Sequence, residues 1–329
     1  MKSGPVVLAR VIIMNGCGRL RLGVRCVMTT SLVRMTRSAT LLRALLAAGT
    51  VCAAWTALSG AQQHPLREAL TFHASFDGGA DATYAAGDPS LYWAPSFKER
   101  QKAAKGLPPG GEVRRAVGGG RYGDALHVTT RKSPIVFFQG AQNMPYRTAN
   151  WSGTVSFWLS VDPEGELEPG FCDPVQITPR AWNDAAFFVE FEKRPEAIPF
   201  RLGVYADFNV WNPTKREFAE IPAGERPLIT VDRPPFGRGR WTHVLFTFDR
   251  FNTGKPDGEV RLYLNGQPSG SLGPRQQTLT WDPGETTIAL GLGYIGLLDE
   301  LSIFNRVLTD AEIRILHALE SGVSGLIRE

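Results

Sequence analysis

Residues 293–313 read GYIGLLDELSIFNRVLTDAEI. Through Phe304 the run is apolar and opened by glycines, as a buried strand is. Thr309, Asp310, Ala311 and Glu312 then match a capping box, and Ile313, Leu316 and Leu319 supply the apolar stripe of a short helix ahead of Gly322. The stretch predicts a closing strand that runs into a capped helix on the rim of a β-sandwich. Asp299 and Glu300 pose its chemical question: a catalytic pair, a metal ligand, or polar residues where a sheet meets water. Alternation sends adjacent strand residues to opposite faces. Asp299 is therefore expected at the rim and Glu300 in solvent on the other face.

Upstream the same period-two signal recurs. From Leu70 onward short alternating runs, among them ALTFHASFD, DALHVTT, GTVSFWLSV, AAFFVEFEK and TTIALGLG, are separated by Gly, Pro, Asn and Asp. In EVRLYLNGQPSGSL, Asn265 and Gly266 tolerate the positive φ of a type I′ turn, so Val260, Leu262 and Leu264 share one side of a hairpin strand. In WTHVLFTFDR, Val244, Phe246 and Phe248 form one apolar face and His243 points away, solvated or hydrogen-bonded. Residues 85–120 and 218–239, rich in Pro, Gly and charge, read as long surface connections. A single all-β domain over 62–329 follows.

The formal net charge of +4 belongs to one end of the chain. Residues 1–61 hold eight Lys or Arg and no Asp or Glu, and setting them aside leaves 28 basic groups against 32 acidic ones. Such a balance gives no footing for nucleic-acid binding. Arg37 and Arg43, an apolar stretch from Leu41 to Leu58, and Ser59 and Ala61 at small-residue cleavage positions read as a secretory signal, with a mature start near Gln62 and alternative translation starts at Met28 and Met35. The expected location is extracytoplasmic, secreted, with no stable membrane span after cleavage. Three of the four cysteines fall in this segment; Cys172 is left, a structural thiol.

Four segments carry a resemblance: GGGRYGDALHV (118–128), WSGTVSFWLSVD (151–162), GRWTHVLFTFDR (239–250) with EVRLYLNGQPSGS (259–271), and the closing run 292–316. In this order they resemble the laminin-G-like jelly rolls of the concanavalin A-like lectin/glucanase superfamily. The resemblance implies two antiparallel sheets, one flat and one concave, with a ligand held on the concave side or at the rim. It also implies a structural calcium ion where first and last strands approach, at the positions matching Asp77 and Asp299. Function is left open, because the superfamily includes lectins, glycan hydrolases, lyases and protein-binding modules.

Retaining glucanases of that superfamily set Glu, Asp and Glu at alternate positions of one strand. In FVEFEKRPE, Glu190 and Glu192 share a face, but Glu stands where Asp belongs and Arg194 takes the place of the third acid. No GxSxG, HExxH, phosphate-loop or paired CxxC motif occurs, and the five histidines are scattered. A non-catalytic module is therefore expected. In RLGVYADFNVWN, read as one strand, Tyr205, Asp207, Asn209 and Trp211 project together, either an aromatic and polar face suited to a pyranose or, where the long loops cover it, a secondary core around Tyr205 and Trp211. Pairing with AAFFVEFEK through the KRPEAIP turn brings Trp182 near Trp211 and Glu190 beside Gly203, with Arg201 neutralising Glu192. The expected ligand is carbohydrate. The alternatives left open are a structural or adhesive module binding protein, and a glycan hydrolase or lyase.

Overall fold

The computed structural model describes residues 65–328, so the signal-like segment and its three cysteines lie outside the described residues. Seventeen strands follow one another: β1 (Leu70–Ala74), β2 (Tyr84–Ala85), β3 (Tyr92–Ala94), β4 (Ala104–Lys105), β5 (Val113–Ala116), β6 (Ala125–Val128), β7 (Ile135–Gln139), β8 (Trp151–Ser160), β9 (Gly170–Thr178), β10 (Ala186–Lys193), β11 (Phe200–Tyr205), β12 (Leu228–Val231), β13 (Trp241–Phe251), β14 (Gly258–Leu264), β15 (Gln267–Arg275), β16 (Thr287–Leu292) and β17 (Gly296–Phe304). Short helices are α1 (Phe208–Trp211), α2 (Asp310–His317) and α3 (Gly322–Arg328).

One sheet runs β15-β14-β13-β8-β17-β1-β2, with β5 and β6 joined to β17; the other runs β12-β11-β10-β9-β16-β7-β3-β4. Neighbouring strands in both sheets pair antiparallel, as in a jelly-roll sandwich. Alternation puts Val155, Phe157, Val244, Phe246, Val260 and Leu262 of the first sheet against Phe187, Val189, Leu202, Val204, Ile288 and Leu290 of the second. Trp151, fully buried, packs edge-on against Phe187, Phe248 and Trp281. Asn265 and Gly266 have φ of 51° and 72°, the values a two-residue type I′ hairpin between β14 and β15 requires.

The capping box forms: the Glu312 amide donates to Thr309 Oγ1 and the Thr309 amide donates to Glu312. α2 lies on the outer face of the first sheet, not at its rim, because Ile313 and Leu316 bury against Leu245, Tyr263 and Phe304. Beneath it His243, 1% exposed, meets the Ser156 hydroxyl at 2.8 Å and stacks against Trp158 and His317, which also stack on each other. The expected connections at 85–120 and 218–239 carry short edge strands of their own, β3 to β5 and β12.

Two expectations are corrected here. Glu300 is buried, not solvated, because the β17–β8 register breaks between Asp299 and Ser302 and Glu300 takes a φ of 55°. With alternation lost, both acids fall on the outer side of the sheet and are buried there: Asp299 accepts the Tyr122 amide of the loop 118–124, and Glu300 Oε2 accepts the Val323 amide at 2.5 Å, tying α3 to the sheet. The strand expected to continue to Trp211 stops at Tyr205. Asp207 bends the chain there by holding Arg180 at 2.6 Å and the Thr280 amide at 2.9 Å, and α1 follows.

Candidate functional site

The early end of β11 breaks up the face that alternation predicted. Tyr205 stays on the sheet, but Asp207 is occupied by Arg180 and Thr280, and Asn209 points into solvent on α1. Trp211 donates its indole N–H to the Asn183 carbonyl at 2.8 Å and stands edge-on behind Tyr205. The pairing register is shifted as well: Glu190 lies opposite Arg201, and Phe188 lies opposite Gly203.

What the sheet assembles instead is a cleft of about 290 Å³ on the outer face of β9, β10, β11 and β12. Phe171, Asp173, Gln176, Trp182, Phe188 and Glu190 line it together with Arg201, Tyr205, Phe218 and Leu228. Of the expected sugar-contacting residues, Trp182, Glu190 and Tyr205 belong to it; Asp207, Asn209 and Trp211 do not.

The floor is polar and tightly paired. Arg201 holds Glu190 at 2.6 Å through Nη2 and Glu192 at 2.8 Å through Nη1, one guanidinium shared by two carboxylates. Burial pushes the Glu190 carboxyl above its usual range, an effect that Arg201 opposes. Asp173 sits across the strand from Glu190, where Pro174 accompanies a break in the β9–β10 register. Its carboxyl is held well above the usual range by burial and then by the Glu190 charge.

The walls are aromatic. Trp182 stands edge-on to Phe188, Tyr205 and Phe218, and Tyr205 stacks on Phe188. Phe171 and Trp182 are 55% and 43% exposed, which leaves flat apolar surface at the mouth. Gly203 is required beneath: a Cβ there would stand 2.2 Å from the Phe188 ring. Such an arrangement can stack rings against sugar C–H groups while carboxylates and a guanidinium bind hydroxyls directionally. Phe188 and Arg201 were within reach of alternation counted from Glu190 and Tyr205. Asp173 and Phe171 were hidden by the break at Pro174.

Asp77 and Asp299 meet the loop 118–124. Asp299 accepts the Tyr122 and Glu300 amides, Asp77 accepts the Asp124 amide, and Asp124 in turn binds Arg115 at 2.7 Å. Burial raises the Asp299 carboxyl to about 7; backbone donors oppose the rise and the Asp77 charge adds to it. Two neighbouring carboxylates suit a hard cation in charge. Among the described residues no group of three or more His, Cys, Asp or Glu converges, so backbone oxygens would have to complete a calcium shell.

A family model described as the Concanavalin A-like lectin/glucanases superfamily, Laminin_G_3, matches residues 147–314. No curated protein matches the sequence. Among solved structures, the receptor-binding domain of botulinum neurotoxin mosaic serotype C/D aligns at 13% identity and TM-score 0.50, over 76% of this chain and 51% of that one. Domain 4 of AbnA, an extracellular arabinanase from Geobacillus stearothermophilus solved with arabinotriose, aligns at 20% identity and TM-score 0.39, over 74% and 96%. Trypanosoma rangeli sialidase aligns at 14% identity and TM-score 0.42, over 76% and 32%. This chain thus spans about half the length of the toxin domain, and at these identities the likeness is one of fold.

Proposed function

The chain belongs to the concanavalin A-like lectin/glucanase superfamily, and from that premise we propose that it is an extracytoplasmic carbohydrate-binding module that binds without cleaving. The observation that carries the reading is the cleft on the second sheet, where exposed Trp182 and Phe171 flank a floor of Glu190, Arg201 and Gln176. A sugar ring laid on the Trp182 indole presents its equatorial hydroxyls to that floor. Arg201 and Glu190 are locked to each other, so little side-chain freedom is lost on binding. A binding role is also consistent with the missing third acid at Arg194, which leaves the strand without the residue that would protonate a leaving group.

Glycan-array binding by the chain lacking residues 1–61, repeated with Trp182→Ala, tests the proposal. A specific glycan signal that falls at least about tenfold in the variant, the loss of one good stacking contact, supports it. Absence of binding to every glycan overturns the lectin reading. Release of reducing ends or unsaturated products, abolished by Glu190→Gln, overturns the non-catalytic one.

A further inference from the structure

The cleft floor is short of positive charge. Asp173 and Glu190 line it with Arg201 as the only basic lining residue, and Arg201 also serves Glu192. Arg194 approaches Glu192 at 3.8 Å from the exposed side and does not line the cleft. Asp173 receives nothing: among the described residues no ion pair or hydrogen bond reaches its side chain. Its β16 neighbour is Leu292, which is apolar.

Two strand positions facing each other across an antiparallel pair hold their Cβ atoms about 5 Å apart. At the break in the β9 register Asp173 and Pro174 together stand opposite Glu190, so Asp173 is displaced from a regular pair yet lines the same cleft, close enough for the Glu190 charge to act on it. An ionised pair so placed repels unless a cation enters between them. The second observation is Tyr205. It lines the same cleft, is fully buried, and its hydroxyl has no hydrogen-bond partner. A phenol oxygen accepts as readily as it donates, and the Glu190 charge acts on this one, so an unsatisfied acceptor lies within electrostatic reach of that carboxylate. The aromatic walls complete the environment: the Arg201 guanidinium already sits 5.3 Å over the Phe171 ring, and the Trp182 face can attract a second cation as well as C–H groups. Arg226 and Arg275, beyond Tyr205, donate to the carbonyls of Ile221 and Glu225 and do not line the cleft.

We propose that the cleft recognises a sugar bearing a cationic amino group, an unacetylated hexosamine, whose ammonium sits between the carboxylates of Asp173 and Glu190. The inference rests on the carbohydrate reading above and narrows it to a ligand class. Seating the ammonium requires Asp173 as a carboxylate. The raised Asp173 carboxyl, faced by Glu190 from β10 and Arg201 from β11, with the Cys172 thiol beside it on β9, therefore gives up its proton on binding.

The test is isothermal calorimetry of the chain lacking residues 1–61 with a glucosamine tetramer, its fully N-acetylated counterpart and a neutral glucose tetramer, at pH 6 and in two buffers of different ionisation enthalpy. The expected result is at least about tenfold tighter binding of the amino form, a factor equal to 1.4 kcal/mol, with proton release to the buffer. Asp173→Asn, an isosteric change at a side chain without partners, is expected to reduce the preference below about threefold and abolish the proton release. Equal affinity for the three tetramers in the unsubstituted protein overturns the amino-sugar inference and leaves the carbohydrate reading intact. Failure of every tetramer, in a protein that binds another glycan on the array, also overturns it; failure of every glycan sinks both. The ligand comparison on the unsubstituted chain decides even if the Asn variant fails to fold.

Discussion

The two sheets of this sandwich have inner faces of the same kind and outer faces of opposite kind. The first sheet is roofed: α2 and α3 cover it, and the polar groups beneath, His73, Ser156, His243, Glu300 and Ser302, are buried. The second sheet keeps part of its outer face open as the cleft, with segment 97–103 packing over only Ala94, Ile135, Phe137 and Ala289. Beneath the roof, His73 is paired with Ser302 at 3.0 Å and Ser324 at 3.1 Å, and His243 with Ser156, while the Nδ1 atoms of His243 and His317 are enclosed without a partner. In the open cleft, Asp173 and the Tyr205 hydroxyl have no such partner. The difference teaches that buried polarity in this fold is no guide to a binding site; an unpartnered carboxylate on an open face is.

The largest expected effect is on the open floor. Arg201→Ala removes the counter-ion of two largely buried carboxylates, Glu190 and Glu192, and should cost about 3 kcal/mol of stability, read as a lower midpoint in urea unfolding. An unchanged midpoint would mean that the floor is wetter than the packing implies.

Under the roof the expected effect is a pH slope. Burial holds His73 and His243 down to about 3, with the His317 charge adding to the second. The unfolded chain then binds more protons below about 6.5, and both histidines make stability fall as pH drops from there toward 3. Asp299, raised to about 7, acts in the opposite sense: the folded state holds its proton, so this group costs stability as pH rises from about 4 to 7. Melting temperature should therefore decline on acidification below about 6.5, and more steeply in Asp299→Asn, which removes the opposing group. A melting temperature independent of pH between 4 and 6.5 would refute the buried neutral histidines.

The smallest expected effect concerns the seam at Asp77 and Asp299. If calcium is held there as the family resemblance implies, millimolar calcium should raise the melting temperature by a few degrees near pH 7, and Asp299→Ala should remove the rise. No shift in the unsubstituted protein removes the site.

Much of the architecture was legible. The alternation in WTHVLFTFDR and EVRLYLNG identified the inner faces of β13 and β14, the Asn-Gly pair identified their neighbouring turn, and the capping box identified α2, because each of these is encoded within a few residues. The cleft was half legible. Residue type singles out Trp182, Glu190 and Tyr205, yet alternation alone also puts Asp207, Asn209 and Trp211 on that face, because it does not record where the strand ends. Asp207 ends that strand through contacts with Arg180 and Thr280, 27 and 73 residues away, which no local pattern records.

By itself, then, the sequence determined the class of fold, the inward faces and the ends of the clearest elements, since period and cap chemistry are local properties of the chain. Tertiary structure alone decided which outer face is roofed, that Asp299 and Glu300 are both buried on that roofed side, and that Asp173 comes to face Glu190. Each of those outcomes depends on a register break or a contact distant in sequence, and a single-residue shift in register exchanges the two faces of a strand.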